Sequence, residues 1–181
     1  MAGRMTPEAR REWILDVALA VIDAEGHRGL TMAELARRCE MSTPGLMHYF
    51  PDLDTLLVAL VRRRDERDDA AIDWERAVAE GPRALLDRTV ENIVALPHAA
   101  RLFAMVEADA LDPSHPGHAY FRERAAMLEV GLAALLDGPD PRRRARRIFA
   151  AMDGLQLHYL RDPEGFDMRA EWAATADALL A

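Results

Sequence analysis

The stretch Leu30-Thr31-Met32-Ala33-Glu34-Leu35-Ala36-Arg37-Arg38-Cys39-Glu40-Met41-Ser42-Thr43-Pro44-Gly45-Leu46-Met47-His48-Tyr49-Phe50-Pro51 decides the fold. Thr31 followed by Glu34 has the form of a capping box, in which a hydroxyl and a carboxylate satisfy amide donors at a helix start. It opens a short helix from about Met32 to Cys39. Glu40-Met41-Ser42 is a tight connector. Ser42 or Thr43 then caps a third short helix, with Pro44 near its start, where a missing N–H is harmless. Pro51-Asp52 stops that helix near Phe50. A longer helix comes before this stretch. Thr6-Pro7 starts it, Ile14, Ala18, Val21 and Ile22 form its apolar face, and Gly26 is expected to end it as a left-handed C-cap. One long helix and two short ones joined by a tight turn make a tri-helical helix-turn-helix unit.

Outward from this unit the apolar spacing stays near 3.6, with no strand-like alternation. The fold class is therefore all-α, with about nine helices. Asp52 caps a fourth helix carrying Leu56, Leu57, Leu60 and Val61 into the charged run Arg62 to Asp69. Gly81-Pro82 breaks the pattern. A fifth helix carries Leu85, Leu86, Val90, Ile93 and Val94, and a sixth covers Ala99 to Leu111. Asp112-Pro113-Ser114-His115-Pro116-Gly117 is a loop, and a seventh helix runs from about His118 to Leu136. Asp140 is expected as N-cap of an eighth, with Ile148, Met152, Leu155 and Tyr159 on one stripe. A ninth carries Trp172, Ala176 and Leu179. The expected domains are 1–51, the helix-turn-helix unit, and 52–181, a larger helical domain.

Composition bounds the function. The chain has 181 residues, 50% hydrophobic and 30% charged, which suits a globular protein with a real core. No apolar run approaches the roughly 18 residues of a membrane span. One cysteine, Cys39, forms no internal disulfide, and the expected location is cytoplasmic. The net charge is −8, which argues against coating nucleic acid by bulk charge. Residues 1–50 are close to neutral, however, and the acid lies beyond them. The basic side chains are all Arg, so any phosphate contact uses a forked guanidinium. His115 and His118 are separated by Pro116 and Gly117, which favours a loop or cap role over metal ligation. There is no Gly-rich phosphate loop, nucleophile elbow or HExxH. An enzyme has no constellation behind it, and no cofactor is expected.

The chain resembles the TetR (tetracycline repressor) family. The resemblance is carried by Ile14-Leu15-Asp16-Val17-Ala18-Leu19, Gly26, Leu30 to Ala36, Ser42 to Pro51 with its closing His-Tyr-Phe-Pro, and Leu56-Leu57. Softer likeness to one branch lies in Asp112 to Pro116, Tyr120 to Arg124, Met152 to Gln156 and Asp162-Pro163-Glu164. The resemblance implies a homodimeric transcriptional regulator, usually a repressor, that leaves double-stranded DNA when a small molecule enters the larger domain.

Family positions carried over one by one put Thr43, Pro44 and Gly45 at the N-terminal end of the third helix, near base edges or phosphate in the major groove. Met47, His48 and Tyr49 follow on its exposed side, while Leu46 and Phe50 point inward. Thr31 and Ser42 serve as caps or phosphate contacts, Arg37 and Arg38 reach the backbone from the second helix, and Arg4, Arg10 and Arg11 form an N-terminal arm. The effector, expected to be largely apolar, would meet Trp74, Phe103, Met105, Tyr120, Met127, Phe149 and Met152, with Asn92, Glu107, Arg124 and Gln156 as polar anchors. Ordinary core packing competes with each of these assignments. Helices eight and nine would form the dimer interface, with Gly154 permitting close approach and Leu155, Tyr159, Trp172 and Leu179 supplying the apolar patch.

Three departures from the family pattern stand out. Glu40 fills the turn position where Gly is usual, Met47 replaces a Tyr, and Leu53 replaces a Lys. Together they predict weaker electrostatic attraction to DNA. They also motivate an alternative, a small-molecule-binding helical dimer whose DNA-binding unit has degenerated.

Overall fold

The computed structural model describes residues 5–26, 29–70 and 73–180, apart from the side chains of Asp23, Trp74 and Ala77. Arg4 lies outside this set. The described residues form α1 (Pro7–Glu25), α2 (Met32–Arg38), α3 (Thr43–Met47), α4 (Leu53–Ala70), α5 (Trp74–Ala95), α6 (Pro97–Asp109), α7 (His118–Ala133), α8 (Pro141–Arg161) and α9 (Met168–Leu180), with no strand among them.

The local signals act as their chemistry requires. Thr6 Oγ1 accepts from the Ala9 amide at 3.2 Å, and Asp52 Oδ1 accepts from Thr55 at 2.7 Å. Gly26 closes α1 at φ 76°, ψ 164°, and its amide donates to the Ile22 carbonyl. Its ψ is extended, so the expected left-handed helical cap is replaced by another glycine-favoured conformation. Gly81, at φ 83°, kinks α5 just before Pro82. Asp140 departs from expectation. It holds the N-cap position of α8 in left-handed backbone (φ 51°, ψ 51°) and forms no side-chain cap bond. A capping side chain works from extended backbone, which aims its oxygen at the following amides.

The chain divides into two compact units, residues 1–69 with 105–118, and residues 70–104 with 119–181. This grouping differs from a single boundary at residue 51, because α4 packs with the helix-turn-helix core. In the first unit Ile14, Ala18 and Ile22 of α1, Leu35 and Cys39, Leu46 and Phe50, and Leu56 are essentially fully buried. Each such large apolar side chain contributes about 1.5–3 kcal/mol by leaving water. Gly117 closes the α6–α7 loop within this unit, where a Cβ would come within 2.9 Å of Val58 Cγ2.

The second unit has its own core. Leu86, Val90 and Ile93 of α5, Ile148 and Met152 of α8, and Met168, Trp172 and Ala176 of α9 make one cluster, with α9 packed on both α5 and α8. Trp172 Nε1 donates to Asp87 Oδ1 at 2.7 Å, and Arg101 donates to the Leu160 carbonyl at 2.7 Å. No helix among the described residues is long and apolar enough to cross a membrane.

Candidate functional site

The helix-turn-helix is organised around its turn. α2 ends in a Schellman arrangement, with the Met41 amide donating to the Ala36 carbonyl at 2.9 Å and the Glu40 amide to the Arg37 carbonyl at 3.2 Å. That motif requires left-handed backbone just past the cap, and Glu40 supplies it at φ 50°. The departure seen in sequence is thus a strained position in the structure.

Ser42 then caps α3, its Oγ accepting from the Gly45 amide at 3.2 Å. Leu46 and Phe50 are fully buried, whereas Ser42, Pro44, Met47 and His48 are exposed. One face anchors the helix and the opposite face looks outward. Thr43, Gly45 and Tyr49 are half-buried, and the Tyr49 ring meets His48 edge-on at 5.6 Å. A Cβ on Gly45 would lie 3.1 Å from Ser42 Oγ, so a side chain here would crowd the cap. Thr31 Oγ1 accepts from the Glu34 amide at 3.1 Å. In both caps the hydroxyl works through a lone pair and keeps its own hydrogen for an acceptor outside the helix. Capping and phosphate contact are therefore compatible roles.

The basic side chains are more committed than the sequence shows. Arg37 and Arg38 both donate to the Glu34 carboxylate, at 2.7–2.9 Å and 2.6 Å, and Arg38 also reaches Glu25. These donors hold the Glu34 carboxyl down to about 2 from 4.5. The carboxylate that the capping box directs toward its cap is thus engaged by two guanidiniums. Arg10 stacks on Trp13, and Arg11 lies over the Phe50 ring at 4.7 Å. Leu53 is half-buried at the start of α4. Cys39 is fully buried, and burial pushes its thiol up, so it acts as a small apolar side chain. His115 Nδ1 accepts from the Gly117 amide, and His118 Nδ1 lies 2.9 Å from the Ala110 carbonyl. Both shape the loop, and no metal-binding cluster occurs among the described residues.

The expected effector residues separate into groups. Phe103 of α6, with Tyr120 and Arg124 of α7, comes together. The Phe103 and Phe121 rings meet edge-on at 5.4 Å, Tyr120 and Phe121 at 5.2 Å, and the Arg124 guanidinium lies 4.5 Å over Phe103. One member was missed in the sequence. Phe121 is largely buried at the centre of this cluster. Asp153 on α8 is held up by desolvation, while the Arg124 charge opposes that rise.

Met152 belongs to the core, with Phe149 packed against it. Met105 and Gln156 are half-buried, while Asn92 and Met127 are exposed. Glu107 is half-buried and groups with the first unit. The Trp74 side chain lies outside the described residues. A recess of about 380 Å³ beside α5 and α9 is lined by Arg83, Ala176, Asp177 and Leu180, none of them an expected ligand residue. Of the expected interface residues, Tyr159 and Trp172 are buried within the chain's own core. Gly154, Leu155 and Leu179 are half-buried, and a Cβ on Gly154 would meet nothing within 4 Å.

Comparison with known proteins agrees with this geometry. Residues 14–60 match the model of the bacterial regulatory proteins of the tetR family. The chain is 31% identical over 171 residues to the HTH-type transcriptional regulator BetI of Paraburkholderia phymatum, covering 90% of this chain and 87% of that one. It is 28% identical over 177 residues to an HTH-type transcriptional regulator encoded in the dhlA 5' region of Xanthobacter autotrophicus, covering 92% and 88%. Among solved structures, the multidrug binding protein EbrR complexed with ethidium superimposes with a TM-score of 0.72 at 25% identity, covering 95% of this chain and 99% of that one. The chain therefore belongs to the tetR family of bacterial regulatory proteins, with its helix-turn-helix in α2 and α3.

Proposed function

We propose that the protein is a ligand-responsive repressor that binds a palindromic operator as a homodimer and leaves it when a small molecule enters the second unit. The observation that carries this reading is the two-faced α3. Leu46 and Phe50 are locked into the core, and Pro44, Met47 and His48 look out beside a capped helix start. Such a segment fits the major groove, with Met47 and His48 at base edges and the Ser42 and Thr31 hydroxyls at phosphates. Two copies related by a two-fold axis would read half-sites about 34 Å apart. Its place of action is the cytoplasm, where bacterial DNA lies.

Dimerisation is assigned to α8 and α9. Gly154 has open space around its missing Cβ, and Leu157 is 44% exposed. Leu155 and Leu179 flank the patch, while Tyr159 and Trp172 support it from inside the core. The effector site is assigned to Phe103, Tyr120, Phe121 and Arg124, by their mutual contacts and by analogy with the ethidium complex of EbrR.

The test is selection of genomic fragments by the purified dimer at low salt, followed by footprinting. The expected result is one palindrome, protected in two half-sites, with sequence preference lost in Met47→Ala and His48→Ala. A folded dimer that selects no fragment refutes the repressor and leaves the alternative, a small-molecule-binding dimer with a degenerate reading unit. The pairing of Arg37 and Arg38 with Glu34 is the observation favouring that second reading.

A further inference from the structure

Building on the DNA-binding role proposed above, we propose that Arg11 of α1 is a phosphate contact of the duplex backbone, set in place by the Phe50 ring at the end of the reading helix. Most guanidiniums described in the first unit are paired. Arg37 and Arg38 meet Glu34, Arg63 meets Glu12 and Asp16, Arg64 meets Asp68, and Arg67 meets Asp16. A guanidinium closed on a carboxylate presents a nearly neutral pair to an approaching phosphate. Arg11 differs. It is exposed, it meets no carboxylate among the described residues, and its guanidinium lies 4.7 Å over the Phe50 ring.

The ring contact has two consequences. A cation–π pair uses the charge over the ring face and consumes none of the five N–H donors, so the fork stays whole for phosphate oxygens. It also restrains a side chain that would otherwise sample many rotamers, which lowers the entropy lost on contact. Phe50 anchors this arrangement to the reading helix. Its side chain is fully buried, and its amide donates to the Leu46 carbonyl at 3.1 Å, so the ring moves with α3. Arg10, by contrast, lies 5.2 Å over Trp13 of its own helix and is tied to α1 alone. Glu12 beside Arg11, and Asp16 one turn on, are held by Arg63, whose side chain is only 11% exposed, so neither cancels the Arg11 charge. With Leu53 uncharged at the start of α4, the grip on the backbone passes to α1.

The experiment is a fluorescence-anisotropy titration of the full-length protein with a labelled duplex of random sequence, repeated from about 50 to about 200 mM salt, since a phosphate contact acts on any sequence. Each contact adds about 0.9 to the slope of log affinity on log salt. A dimer that loses one contact per copy therefore has a slope shallower by about 1.8, and over that fourfold range its affinity falls about twelvefold less than the parent's. This is the expected result for Arg11→Gln, and for Arg11→Met, which keeps an apolar side chain on the ring. Arg11→Lys should keep the parent slope. So should Arg122→Gln, which removes an exposed cation of α7 in the second unit. A folded Arg11→Gln or Arg11→Met with the parent slope overturns the proposal, and so does an equal loss in Arg122→Gln. If neither Arg11 variant folds, phenylglyoxal modification of the parent decides: bound duplex must protect Arg11 and leave Arg122 reactive, and an unprotected Arg11 overturns the proposal. A folded parent that binds no duplex at the lowest salt defeats this proposal and the repressor together. A selected palindrome with an unchanged slope in Arg11→Gln defeats this proposal and leaves the repressor standing, whereas an Arg11-dependent slope with no palindrome selected defeats the repressor alone.

Discussion

Replacing Glu40 by Gly should make the protein more stable and bind DNA more tightly. The Glu40 backbone is held at φ 50° by two hydrogen bonds of the Schellman turn, from its own amide to Arg37 and from Met41 to Ala36. An L-residue with a Cβ is destabilised there by about 1–2 kcal/mol. Glycine relieves this but loses about 0.5–1 kcal/mol through greater freedom in the unfolded chain. The net gain is about 0.5–1 kcal/mol, or roughly 1–4 °C in melting temperature for a chain of this size. The exposed carboxylate also lies in the turn leading to α3. A charge about 10 Å from a phosphate in water contributes about 0.4 kcal/mol, so its loss improves affinity about twofold at low salt. Thermal melts and fluorescence-anisotropy titrations of Glu40→Gly, Glu40→Gln and Glu40→Ala separate the effects. Glutamine removes the charge and keeps the strain, so it should gain affinity with no rise in melting temperature. Alanine keeps the strained backbone and should melt near the parent. If Glu40→Gly melts no higher than Glu40→Ala, the strain argument is refuted.

Three further outcomes are expected. Ser42→Ala removes the cap on the Gly45 amide and should lower stability by about 1 kcal/mol in chemical denaturation, with a larger proportional loss in DNA titrations because the proposed phosphate donor goes too. Glu34→Gln tests the arginine pairing. The folded carboxyl titrates near 2, below its ordinary 4.5, so its contribution is present above pH 4.5 and is lost as pH falls toward 2. The variant's acid-denaturation curve should be flatter through that window, and the released Arg37 and Arg38 should steepen the salt dependence of DNA binding by about one to two units; a superimposable acid limb argues against both. Trp172→Phe removes the bond to Asp87 and leaves space in a buried site, and should destabilise by about 2 kcal/mol, read as a drop of roughly 4–8 °C.

What the sequence conveyed and what it hid follow from how far each interaction reaches along the chain. Thr31, Ser42 and Asp52 act on amides three residues away, so their roles could be read directly, and the apolar spacing of Ile14, Ala18 and Ile22 marked the buried face of α1. Asp140 looked equivalent, yet its cap fails because its backbone is left-handed, a property of the Gly138-Pro139 turn before it and not of the aspartate. The pairing of Arg37 with Glu34 is local and was still overlooked, because the capping-box pattern gave the carboxylate another duty. Interactions across long separations were the least legible. Trp172 carries the same apolar signal whether it faces α5 or a second chain, and only the Asp87 carboxylate, 85 positions away, decides that it faces inward. The aromatic cluster of α6 and α7 shows the same limit. Phe103, Tyr120 and Arg124 stood out as aromatic and charged residues, but their meeting across the α6–α7 loop did not. The rings of α6 and α7 are thus visible in sequence as large side chains, whereas which ring meets which depends on packing across the intervening loop, which no local pattern records.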